Sequence, residues 1–134
     1  MGGKPALRLL LDTHTLLWAL GEPDKLSEVA RRAVEDPANT RLVSSVSAWE
    51  IAIKHRLGRL PGADTILSAF ARHLRTLRAT ELPITCEHAI LAGRLPHPHR
   101  DPFDRMLAAQ AMLEGAVVLS NDQAFDGLGA ARLW

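Results

Sequence analysis

A chain of 134 residues, 47% of them hydrophobic, suits one domain with a core of its own. Sixteen Lys and Arg against fifteen Asp and Glu leave a net charge of +1, which excludes a nucleic-acid binder working through bulk charge but leaves room for local patches. The single Cys86 permits no internal disulfide and fits a reducing cytoplasm, and no apolar stretch spans a membrane, since Arg8, Asp12 and His14 interrupt the one candidate. Residues 1–6 lack the apolar core of a signal peptide and read as a flexible lead-in, leaving 7–134 as the domain.

Leu7-Arg8-Leu9-Leu10-Leu11 reads as a strand buried on both faces. Leu16, Leu17 and Leu20 follow at helical spacing, which puts Asp12-Thr13 in the tight turn at the strand's carboxyl end, where open α/β sheets bind ligands. After a turn at Gly21-Glu22-Pro23-Asp24, Ser27 caps a second helix with Val29, Ala30, Ala33 and Val34 facing inward, ending near Asp36-Pro37. Arg41–Ser44 is a second strand. A third helix carries Val46, Trp49, Ile51–Ile53 and Leu57 and stops at Gly58, with Trp18 and Trp49 at core-facing positions. Beyond Pro61-Gly62, the spacing of Ile66, Leu67, Phe70, Leu74 and Leu77 predicts one amphipathic helix.

Thr80–Ile84 is a weak strand, and Pro83 favours a sheet edge. Thr85 caps a helix to about Gly93, Pro96–Arg100 forms a polar loop, and a helix runs from Pro102 to about Glu114, where Gly115 ends it. Ala116–Ser120 is a strand with Asn121-Asp122 at its carboxyl end, and Arg132–Trp134 is a last short one. The alternation predicts an α/β domain with a central, mostly parallel sheet of about five short strands flanked by helices.

Four acids stand out, each with a structural reading beside a chemical one. Asp12 reads equally as an N-cap and as a ligand. Glu50 closes a capping box in Ser47-Ala48-Trp49-Glu50, whereas a helix starting at Ser45 frees it for another role. Asp101 fits the N-cap before Pro102, which leaves Asp104, projecting from the end of the domain where the strands finish, as the more chemical of the pair. Asp122 opens an Asx-turn into a helix from Gln123, or joins Asp12. Carboxylates gathered closely raise one another's pKa, a cost that a hard divalent cation removes; an oxygen-rich, sulfur-free set suits Mg²⁺ or Mn²⁺.

The stretches Leu-Leu-Leu-Asp12-Thr13-His14, Ser45-x4-Glu50, Asp101-Pro-Phe-Asp104-Arg105-x4-Gln110-Ala111 and Ser120-Asn121-Asp122-x2-Phe125 together resemble a PIN domain. More closely, they resemble the VapC toxins of bacterial and archaeal type II toxin–antitoxin pairs, in order along essentially the whole chain. That resemblance implies a Mg²⁺- or Mn²⁺-dependent endoribonuclease, with Asp12, Glu50, Asp104 and Asp122 as catalytic and metal acids. Thr13 and Ser120 are implied as supporting hydroxyls, Ser120 standing where many relatives have threonine. The implied reaction is hydrolysis of RNA leaving a 5′-phosphate and a 3′-hydroxyl, in a homodimer silenced by a cognate VapB-type antitoxin.

His97-Pro98-His99 reads as a polar loop able to touch RNA, since two loop histidines without further ligands make no transition-metal site. Lys54, His55, Arg56 and Arg59, with Arg72, Arg75 and Arg78, fit a solvated helix face better than a phosphate track. Arg100 and Arg105 flank the acids and are the better candidates for RNA contact. Cys86 with His88 lacks an orienting group for nucleophilic work. His14 is expected packed beneath the site, and Trp18 and Trp49 along a groove for an antitoxin helix. Two other readings stay open: a PIN nuclease of RNA processing or DNA metabolism without an antitoxin, and an idle binding module whose acids only cap helices.

Overall fold

Alternate residues of one short strand divide this molecule's core in two. In the computed structural model, which describes residues 5–134, strand β1 (Arg8–Leu11) buries Leu10 toward Leu42, Val118, Leu107 and Phe125 on one face of the sheet. It sends Leu9 and Leu11 toward Val43, Leu119, Leu16 and Ile51 on the other. The flexible lead-in expected over 1–6 lies mostly outside the described residues. The remaining strands are β2 (Thr40–Ser44), β3 (Ala79–Leu82), β4 (Val117–Leu119) and β5 (Arg132–Leu133). They order as β3-β2-β1-β4-β5 with every pairing parallel, so β3, with Pro83 just past its end, is an edge strand as expected.

Helices cover both faces. They are α1 (Thr13–Gly21), α2 (Glu28–Glu35), α3 (Ser45–Arg56), α4 (Asp64–Ser68), α5 (Phe70–Leu77), α6 (Cys86–Arg94), α7 (Pro102–Glu114) and α8 (Ala124–Leu128), with a 3₁₀ turn at Pro23–Lys25. Several starts follow the predicted caps: Ser27 accepts from the Ala30 N–H at 3.0 Å, and Thr85 and His88 form a reciprocal capping box. Gly115 ends α7 at φ 61°, a conformation glycine adopts without a Cβ penalty. Among the described residues no helix is long and apolar enough to cross a membrane.

Three local expectations give way. The helix predicted over Ile66–Leu77 is two, because Ala69 leaves helical dihedrals (φ −135°, ψ 36°); both parts still pack on one core through Leu67, Phe70 and Leu74. Val29 is 50% exposed and Trp49 58% exposed, since the stripes of α2 and α3 facing the core are narrower than their apolar content. And α3 begins at Ser45, capped by the Ser44 hydroxyl accepting from Val46 N–H at 3.0 Å. The Ser47–Glu50 capping box therefore does not form, and Glu50 is left for other work.

Candidate functional site

From β1 the chain crosses to β2 on one side, and from β4 to β5 on the other, so the strand order reverses between β1 and β4. Helices leaving in opposite directions open a crevice beyond the carboxyl ends of such strands. The Asp12 N–H donates to Leu119 O at 3.2 Å and ties the two ends together. A cavity of about 430 Å³ opens there, lined by five carboxylates: Asp12, Glu50, Asp101, Asp104 and Asp122. Thr13 also lines it, and Lys54 is the one Lys or Arg among its described lining residues.

Asp12 and Asp101 cap helices while facing the cavity, and Asp122 holds the turn before α8. Asp12 Oδ1 accepts from Thr15 N–H at 2.7 Å. Asp101 Oδ1 accepts from the N–H groups of Phe103 and Asp104 at 2.9 and 3.3 Å. Asp122 Oδ1 accepts from Ala124 N–H at 2.9 Å, while its own N–H donates to the buried Ser120 Oγ at 2.9 Å. Capping and ligation are thus not alternatives here: each of these three carboxylates keeps a second oxygen without a hydrogen-bond partner among the described residues. Glu50 is different. Its Oε1 accepts from the Thr13 hydroxyl at 2.6 Å, beside Ser47 Oγ, and its Oε2 holds the Lys54 ammonium at 2.6 Å.

Asp104 faces the cavity from the first turn of α7, with Oδ2 2.9 Å from His99 Nε2. Burial pushes its carboxyl up to about 6; the hydrogen bond with His99 opposes that rise, and the charges of Asp101 and Asp122 add to it. His99, Asp101 and Asp104 bring one ligand atom each to within 4.8 Å of one another, a triad able to hold a metal ion. Asp12, Glu50 and Asp122 line the same cavity outside that triad.

The structure therefore brings Asp12, Thr13, Glu50, Asp101, Asp104 and Asp122 to one cavity, with Ser120 behind it. His99 lies in the stretch expected as a polar loop able to touch RNA, although His99-x-Asp101-x2-Asp104 runs straight into a helix N-terminus. Lys54, expected on a solvated face, stands four residues after Glu50 on one helix. Arg105 is occupied elsewhere: it donates to the carbonyls of Leu95, His97, Ala92 and His99 at 2.6, 2.8, 2.9 and 3.1 Å, so the expected RNA contact gives way to a clamp on the 92–99 segment. Arg100 is exposed. His14 is not packed beneath the site but exposed at its rim, against Trp18 at 6.0 Å between ring centroids. Trp49 lies outside the core and packs edge-on to Phe103 at 5.3 Å.

Residues 9–130 match the family described as PIN domain. Ribonuclease VapC22 of Mycobacterium tuberculosis is 33% identical over 119 residues, covering 86% of this chain and 87% of that protein. Among solved structures, VapBC2 from Rickettsia felis, bound to a DNA fragment from its promoter, superposes with a TM-score of 0.66 at 16% identity over 95% of this chain and 98% of that one. FitAcB from Neisseria gonorrhoeae gives 0.64 at 18% identity, covering 94% and 96%. The chain belongs to the PIN domain family and, within it, to the VapC-type toxins of type II toxin–antitoxin systems.

Proposed function

We propose that the protein is a metal-dependent endoribonuclease toxin, hydrolysing RNA phosphodiester bonds and silenced by a cognate VapB-type antitoxin, with a homodimer as the working form. The observation that carries the nuclease reading is the convergence of five carboxylates on one cavity at the switch point of the sheet. As a cap-only set they would face solvent at separate helix ends; together they repel one another unless a cation is shared. Membership of the VapC-type family supports the antitoxin and the RNA substrate.

The donor set fits Mg²⁺ or Mn²⁺. Asp12, Asp101, Asp104 and Asp122 offer hard oxygens, the first, second and last each through the oxygen its cap leaves unpartnered, and His99 adds one imidazole beside Asp104. Such an ion, when bound, supplies a Lewis acid that activates water and stabilises phosphodiester oxygens. The chain's own residues prepare the place for it. Ser120 sets the backbone of Asp122, Asp101 organises the first turn that carries Asp104, and Asp104 releases its proton near pH 6. Glu50, expected among the metal acids, has both oxygens engaged. Arg100, exposed beside the acids, is the arginine we assign to RNA contact.

The test is calorimetric titration of Mn²⁺ into the antitoxin-free protein and into Asp12→Asn, followed by cleavage of total RNA. Saturable binding and cleavage, both lost in a folded Asp12→Asn, are expected. A folded wild type that binds no Mn²⁺ returns the acids to the role of helix caps.

A further inference from the structure

Among the cavity's carboxylates with assigned partners, Glu50 alone has both oxygens taken, one by a hydroxyl and one by an ammonium, each at 2.6 Å. We propose that Glu50 anchors Lys54, rather than ligating the metal, and that Lys54 is the chain's own ligand for the RNA phosphate at this site. The proposal rests on the nuclease reading above and assigns it a substrate-binding residue.

Charge gives such a residue a task. A phosphodiester entering this cavity meets five carboxylates, and one divalent ion offsets only part of their charge. Among its described lining residues Lys54 is the one Lys or Arg. Its geometry suits the task. An ammonium carries three donors, and Lys54 gives one to Glu50, leaving two without a partner among the described residues.

The two ends of the pair also sit in different surroundings. The Glu50 side chain is 8% exposed and held from behind by Thr13, whereas Lys54 is 30% exposed and reaches outward. The four-residue spacing on α3 puts the carboxylate one turn before the ammonium, the favoured orientation for such a pair. The pair stands at an acidic cavity, where its ammonium also offsets part of the carboxylates' mutual repulsion. An anchored ammonium there is pre-organised for an incoming phosphate, with less side-chain entropy to lose on binding.

The test compares wild type, Lys54→Gln, Lys54→Arg and the double variant Glu50→Gln/Lys54→Gln. The double variant removes both charges, keeps the cavity's net charge, and leaves no lone buried carboxylate. Two quantities are read: Mn²⁺ affinity by calorimetry without RNA, and affinity for a fluorescein-labelled, mixed-sequence single-stranded RNA in Ca²⁺ over a salt series. Lys54→Gln and the double variant should each weaken RNA binding about tenfold and reduce the slope of log affinity against log salt by about 0.7, the value for one phosphate contact on a single strand. Lys54→Arg should restore most of both. In the double variant Mn²⁺ affinity should stay within about threefold of wild type, whereas loss of a ligand or its orienting partner costs about tenfold or more.

An unchanged RNA affinity and salt slope in a folded double variant overturns the role of Lys54. A fall of about tenfold or more in its Mn²⁺ affinity overturns that of Glu50. If wild type itself binds no Mn²⁺, the metal-dependent reading fails instead, and the RNA comparison still decides on Lys54.

Discussion

Replacing Asp104 by Asn should make the metal-free protein more stable, although it removes a hydrogen-bonded charge. Burial, reinforced by Asp101 and Asp122, raises this carboxyl from 3.8 to about 6 against the opposing bond with His99. Between those two pH values the unfolded chain ionises while the folded one still holds its proton, so stability falls as pH rises through the window. The penalty is absent below pH 4 and complete above pH 6, where a rise from 3.8 to about 6 corresponds to about 3 kcal/mol. Asparagine carries no charge at any pH and can still accept from His99 Nε2–H. That upward shift already contains the opposing bond with His99; discounting it for the solvent screening of a partly exposed carboxyl leaves a net gain of about 2 kcal/mol at neutral pH. Urea unfolding in chelator, at pH 4 and at pH 7.5, measures it: the two proteins should agree at the lower pH and separate at the higher. Equal stability at pH 7.5, or a less stable Asp104→Asn, refutes the account of a carboxylate strained by burial and by its neighbours.

The same proton governs metal binding: below about pH 6 an ion must displace it, so Mn²⁺ affinity should fall by up to about tenfold per pH unit there and level off above. A flat profile down to pH 5 removes Asp104 from the ion's ligands. Arg105→Met keeps the aliphatic packing but deprives the 92–99 carbonyls of their donor; a loss of about 2–4 kcal/mol is expected, with faster amide exchange between His97 and Asp101. Wild-type exchange in that segment argues against the clamp. Gly127 in α8 lies so close to the loop that a Cβ there would sit 2.7 Å from His97 Nε2. Alanine would gain about 1 kcal/mol of helix propensity at an open position, yet here it must push the ring aside. Gly127→Ala should therefore lower the melting temperature and weaken Mn²⁺ binding through His99, whose N–H donates to His97 Nδ1 at 3.1 Å. A raised melting temperature with unchanged Mn²⁺ affinity counts against that coupling.

Much of the architecture was legible along the chain because its signals are local. The run Leu9–Leu11, the caps Ser27, Thr85 and Asp101, and the stop at Gly115 each act within a few residues, through hydrogen bonds or dihedral preferences that neighbours hardly alter. Strand ends at Asp12 and Asp122 were visible for the same reason. The position of α3's first residue was not: Ser44 and Ser47 can both cap, and the choice fell to Ser44 once Val46 and Ile51 were buried against the sheet. That choice freed Glu50 from its expected capping box. Ala69 shows the same limit, since a pattern continuous in sequence was interrupted where two short helices pack on one core.

The sequence by itself determined that this is a parallel α/β domain with acids at the strand tips, because period and turn chemistry are properties of short segments. Only the tertiary structure decided which groups share those acids. His99 stands 2.9 Å from Asp104 in a loop whose carbonyls engage the Arg105 guanidinium. Lys54 was turned from a solvated face onto Glu50 at the cavity's edge. Such partnerships depend on through-space distance and on burial, which a linear pattern does not carry until the chain has folded.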